Sequence, residues 1–139
     1  MKPIVSETIR ACPQFYDLDP MNIVWHGNYP RFFELARTAL MVRIGYGYDA
    51  MQDSGFAWPV IDMHIRYYRP LRLAHWVGIT ASITEWENRL KIEYLACDER
   101  TGAKTTKGHT VQVAVDVKTE SMLWETPSIL REKLEPFLP

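Results

Sequence analysis

An α+β fold, with one long helix against a curved antiparallel sheet of about five strands, is what this sequence predicts. Three observations carry the prediction. One apolar stripe at helical spacing occupies residues 28–44. The hydrophobic period then falls from that of a helix to that of a strand for most of the remaining chain. The connections between those later segments are too short for parallel crossovers, so the neighbours pair antiparallel.

SETIRACPQF opens the chain as a strand, ended by Pro13, which cannot donate to a ladder. A loop carrying Asp17 and Asp19 follows, then the long helix from about Asn28 to Ile44. Tyr29, Phe32, Phe33, Ala36, Leu40 and Ile44 recur three and four apart and form its apolar face. Asn28 is its expected N-cap, with Pro30 in the first turn, and Gly45 and Gly47 stop it. YDAMQDSG adds a short helical turn. In WPVIDMHIRYY, Val60, Asp62, His64, Arg66 and Tyr68 alternate with Ile61, Met63, Ile65 and Tyr67. WVGITASITEW and RLKIEYLACDE read as strands joined at Glu87 and Asn88. RTGAK is a turn on Gly102, and TTKGHTVQVAVDVK one longer strand. SMLWE reads as a final short strand, and TPSILREKLEPF as a helix with Thr126 as N-cap and Pro127 in its first position.

The chain, 139 residues with a formal charge of -1, fits one domain, residues 1–139. The near-neutral charge argues against nucleic acid as a partner. No stretch approaches the ~20 apolar residues of a membrane span, and MKPIVSETIR reaches Glu7 and Arg10 too soon for a signal peptide. Cys12 and Cys97 lie far apart and read as small buried hydrophobes rather than a disulfide. A reducing, cytoplasmic setting is expected. A single helix cannot cover every strand, so a homo-oligomer, a dimer or a dimer of dimers, is expected on packing grounds.

The stretch DLDPMNIVWHGNYPRFFELAR, Asp17 to Arg37, supports two readings. Asp and Asn satisfy unpaired N–H groups in turns and suit the positive end of a helix dipole, which makes Asp17, Asp19 and Asn28 structural. The same segment puts a carboxylate beside a helix start whose free N–H groups, at His26, Gly27 and Asn28, can stabilise an oxyanion. Gly27 would let a substrate approach the backbone. A carboxylate there can attack an ester or thioester carbonyl or activate a water.

The run YDLDPMNIVWHGNYPRFFELART, Tyr16 to Thr38, resembles the signature of the hotdog-fold acyl-CoA thioesterases, the 4-hydroxybenzoyl-CoA and Tol–Pal-associated group. The likeness extends more loosely through GFAWPVIDMHIRYYRPLRL to about Val117. It implies the hotdog fold, a central helix wrapped by an antiparallel sheet. It also implies hydrolysis of an acyl-CoA thioester to free acid and CoA. By position, Asp19 matches the catalytic carboxylate, nucleophile or general base. His26 matches a catalytic position whose backbone N–H faces the thioester carbonyl. Asn28 and Tyr29 shape the helix start, and Glu34 matches a helix acid that some relatives use instead. The other reading of Glu34 is an ion pair with Arg31 or Arg37. Pro20-Met21-Asn22 departs from the smaller residues usual after the second Asp, which bears on the acyl group accepted. Asp17 reads as structural.

CoA phosphates call for basic residues at a rim, and Arg66, Arg69, Arg72, Arg89 and Lys91 are the candidates. Asp62 and His64 share one strand face and read as a polar or subunit-contact surface. No metal-ligand spacing or glycine-rich phosphate loop is present, so no cofactor is expected. The alternatives are a hotdog module that binds acyl-CoA or an acyl carrier protein without turnover, or an enoyl-CoA hydratase or dehydratase.

Overall fold

A computed structural model describes residues 2–139. The chain runs β1 (Val5–Ala11), α1 (Tyr29–Arg43), α2 (Tyr48–Ser54), β2 (Phe56–Ala57), β3 (Val60–Tyr67), β4 (Val77–Glu85), β5 (Leu90–Asp98), β6 (Lys104–Gln112), β7 (Val115–Asp116) and α3 (Ser128–Leu134). Five strands form one sheet in the order β1-β4-β5-β6-β3, every pair antiparallel. No helix among the described residues is long and apolar enough to cross a membrane.

The helical stripe read from the sequence is the buried face: Tyr29, Phe32, Phe33, Ala36, Leu40 and Ile44 are all within the core. It lies on the side of the sheet that carries Ile79, Ala81, Ile83, Ile92 and Tyr94. Phe33 stacks flat on Tyr94, with ring centroids 4.5 Å apart. The approach requires Gly108 on β6, where an added Cβ would stand 2.5 Å from the His64 carbonyl oxygen and 2.8 Å from Phe33 Cε2. The helix therefore sits closer to the sheet there than any side chain on β6 would allow.

At the other edge β3 pairs only with β6, and most of its residues are exposed on both faces. Its alternation holds from Asp62 onward, with His64 opposite His109 and Arg66 opposite Lys107 on the face away from α1. The register shifts between Val60 and Asp62, so Val60, expected on the face of Asp62, lies opposite Gln112 on the other face.

Three local expectations are corrected. The single long strand over 105–118 is broken after Gln112: β7 leaves the sheet and pairs with β2. SMLWE forms only an isolated bridge, Met122 to Val115, instead of a strand. Thr126 does not cap α3. Its hydroxyl donates to the Trp86 carbonyl at 2.7 Å, docking the helix entry on the β4–β5 turn, and Pro127 occupies the cap position. Cys12 and Cys97 are both free thiols.

Candidate active site

Between β1 and α1 the chain folds a small two-armed loop. Leu18 bridges Val24, Asp19 N–H donates to Ile23 O at 2.8 Å, and Asn22 N–H donates to Asp19 O at 2.9 Å. The turn closes with Asn22 at a φ of 66°, a left-handed conformation that Asn tolerates better than most side chains. Within it, Asp19 Oδ1 accepts the Met21 N–H at 2.8 Å. One carboxylate oxygen is thereby fixed, and among the described residues nothing engages the other.

Asp17 is the post on which this loop stands. It is buried, its Oδ2 accepts the Gln14 N–H at 2.8 Å, and its Oδ1 accepts from Arg31 on α1. Its backbone carbonyl takes the Trp25 N–H at 2.9 Å and the Asn28 side-chain amide at 3.0 Å. The structural reading of Asp17 agrees with this geometry. Asn28, expected as an N-cap, spends its side chain on the Asp17 carbonyl and makes no cap bond. The physical reason is a 3₁₀ turn, His26–Asn28, that precedes α1 and leaves Asn28 already in helical backbone.

That turn also decides which N–H groups are free. Asn28 N–H is bonded to Trp25 O at 2.9 Å. Among the described residues, those of His26 and Gly27 have no acceptor. At Gly27 a Cβ would collide with the Trp25 ring at 2.4 Å, so this glycine first makes room for Trp25. The Tyr67 hydroxyl, from the end of β3, donates to His26 O at 2.9 Å, and its ring meets Tyr29 edge-on at 4.7 Å. Tyr29 is buried, which pushes its phenol above the usual tyrosine range, and it accepts the Leu71 N–H at 3.2 Å. Val24 N–H donates to Leu71 O at 2.9 Å, so residues 69–71 are pinned to both loop and helix.

These elements enclose an open, largely apolar cleft of about 290 Å³, walled by Asp19, Met21, Ile23, His26, Tyr29, Tyr67 and the 68–70 segment. Asp19, His26 and Tyr29 thus meet in one place. No hydrogen bond or ion pair joins His26 to Asp19. Glu34 is not in the cleft. It pairs with Arg37 and faces a separate cavity of about 230 Å³ with Met41, Trp58 and Gln112.

The basic candidates are scattered. Arg69 borders the cleft, Arg66 lies on the outer sheet face near His64 and Lys107, and Arg89 is bonded to Glu85 at 3.2 Å. Lys91 lines neither the cleft nor the cavity beyond it. Arg72 lines that second cavity with Arg69, on the other side of the 69–71 segment. Asp62 and His64 belong to the outer face, where Asp62 Oδ2 lies 3.8 Å from His109 Nε2 and the His64 and His109 rings stack. Sequence reasoning did not single out Tyr67. Its only signal was its place in the alternation of β3, which put it on the helix side.

Known proteins provide the context. YneP of Bacillus subtilis, provisionally named an acyl-CoA thioesterase, is 37% identical over 73 residues, 52% of this chain and 50% of YneP. The acyl-CoA thioester hydrolase YbgC of Escherichia coli is 31% identical over 70 residues, 50% of this chain and 52% of YbgC. The chain thus spans about half the length of each of these two relatives. A crystal structure of a 4-hydroxybenzoyl-CoA thioesterase with 4-hydroxybenzoyl-CoA superposes with a TM-score of 0.81 at 18% identity, over 93% of this chain and 98% of that one. The fold is that of the hotdog thioesterases. With the thioesterase-like superfamily model matching residues 13–137, which take in every strand of the sheet but β1 together with the helix and the cleft, the chain belongs to that superfamily.

Proposed function

We propose that the protein hydrolyses an acyl-CoA thioester to a free acid and CoA. One observation carries the reading: Asp19 holds one carboxylate oxygen on Met21 N–H and leaves the other free, in the same cleft as His26, whose N–H, like that of the adjoining Gly27, has no acceptor among the described residues. The thioester carbonyl oxygen meets the N–H groups of His26 and Gly27, where the positive end of the α1 dipole reinforces them. The free Asp19 oxygen attacks the carbonyl carbon or takes a proton from the attacking water. Collapse of the tetrahedral intermediate expels the CoA thiolate. After attack by water this gives the free acid at once; after direct attack it leaves an Asp19 acyl anhydride, which a water then hydrolyses to the free acid and the regenerated carboxylate. The names of YneP and YbgC support CoA as the carrier.

Thiol release measured across short, long and aromatic acyl-CoAs tests the reaction. Asp19→Asn is expected to lower turnover about a thousandfold with an unchanged circular dichroism spectrum. Near-normal turnover by that variant would overturn the role given to Asp19. Acid quench of a single turnover with a radiolabelled acyl group separates the two chemistries: direct attack leaves label on the protein, base catalysis does not.

The whole of residues 1–139 acts here as one unit. The free edge and exposed flanks of β3 support a homo-oligomer in which a second copy pairs along that strand. Sedimentation equilibrium tests it, with Met63→Lys expected to shift the population to monomer. Two free thiols support a cytoplasmic location. Fractionation of cells expressing the tagged chain tests that.

A further inference from the structure

The cavity of about 230 Å³ beside Glu34 shares no lining residue with the Asp19 cleft. Three distant parts of the chain build it: α1, the stretch from Tyr46 to Trp58 around α2, and Gln112 at the end of β6. Its floor and its mouth differ. Met41, Tyr46, Trp58 and Gln112 are buried, whereas Glu34 and Tyr48 are exposed and stand at the opening. A cavity of roughly 150 Å³ already accommodates benzene, so this one has room for a single substituted ring.

The polar groups of the floor are spent, with one exception. Ser54 gives its only proton to Met51 O at 2.6 Å, so the Tyr46 hydroxyl donates to Ser54 Oγ at 2.8 Å and itself accepts the Trp58 indole N–H at 2.9 Å. The Gln112 amide nitrogen donates to Trp58 O at 2.7 Å. That bond fixes the amide's orientation, because the reverse would set two oxygens face to face. The exception is Gln112 Oε1, which is buried and which no donor among the described residues reaches. An unmet buried acceptor destabilises a fold, so the position suits a donor that arrives from outside the chain. Charge at the mouth is already balanced. Glu34 and Arg37 pair with each other, and the wall holds no further charged group. A charged ligand would find no free counter-ion there.

We propose that this cavity is a second ligand site, taking a small uncharged molecule with an apolar body and one hydroxyl, an alcohol or a phenol, whose O–H donates to Gln112 Oε1. The body lies against Met41, Met51 and Trp58, whose thioethers and indole suit an apolar ring. The hydroxyl is the discriminating feature, because a molecule of the same shape without it leaves the amide oxygen unmet. The site does not depend on the thioesterase reading.

Calorimetric titration with 4-methylphenol and with toluene tests the site. Wild type is expected to bind 4-methylphenol about tenfold more tightly than toluene. Gln112→Met removes the acceptor and is expected to bring the two affinities together while toluene binding holds, with melting curves confirming the fold. Met51→Trp fills the cavity and is expected to abolish binding of both. Equal affinities in wild type, a phenol preference that survives Gln112→Met, or binding that survives Met51→Trp each overturns the proposal. Thiol release from an acyl-CoA, followed with 4-methylphenol present, separates this site from the cleft. An unchanged KM is expected; a KM that rises at constant kcat assigns the cavity to the substrate and overturns a second site. Binding of 4-methylphenol without thiol release from any thioester removes the thioesterase reading and leaves this site standing.

Discussion

Asp17 and Asp19 stand two positions apart and end in opposite environments, one buried against Arg31, the other lining a cleft. Burial makes Asp17 dependent on its partner: Arg31→Ala leaves a buried carboxyl group with only the Gln14 N–H on its side-chain oxygens and is expected to cost about 2 kcal/mol in urea unfolding. Tyr67 acts at longer range. Its hydroxyl bonds the carbonyl of the His26–Gly27 peptide, whose N–H is one of the two free donors, and a bond at one end of a peptide polarises the other. Tyr67→Phe is therefore expected to lower kcat several-fold with little change in KM or melting temperature; an effect on KM alone would contradict that role. At this scale the sequence was legible where chemistry is local. An Asp in a turn before a helix announces itself, and the Glu34–Arg37 pair follows from helical spacing. Gln112 was illegible, because only the fold brings the end of β6 beside α1 and Trp58. Asn28 misled for the opposite reason, its cap-like position serving a contact eleven residues back.

Elements show the same division. The stripe on α1 was readable because a helix buries whatever recurs every three or four residues, and all six stripe residues are in the core. The break after Gln112 was not. Residues on both sides of it alternate in the same way, and a period of two cannot report a change of partner from β3 and β5 to β2. The event marking the break is tertiary: the Gln112 amide donates to Trp58 O at 2.7 Å. Thr126 was likewise diverted from capping by the β4–β5 turn beneath it. Gly108 gives this scale its sharpest test. Gly108→Ala forces either Phe33 or the His64 peptide to move and is expected to cost about 2 kcal/mol, read from the denaturant midpoint. Phe33→Leu in the same background should recover part of that loss, because it removes the ring edge the new methyl meets.

For the molecule as a whole, burial of phenols sets a limit on the alkaline side. Tyr29, Tyr67 and Tyr94 are all pushed above the ordinary tyrosine range chiefly by burial. The native state thus keeps protons that the unfolded chain releases near pH 10, so stability is intact below that pH and declines as pH rises through the native values. Phenolate absorbance and loss of circular dichroism are expected to rise together in an alkaline titration; ionisation of all three well ahead of unfolding would contradict this. Leu71 has a wider consequence. Its N–H is held by Tyr29 and its carbonyl by Val24, while its flanks wall both cavities. One peptide thus ties the wall between the cavities to the mouth of the acid-bearing loop. Amide hydrogen exchange at Leu71 and Val24 is therefore expected to quicken together in Tyr29→Phe, which frees the Leu71 N–H, so that the loop and the wall behind it loosen as one unit.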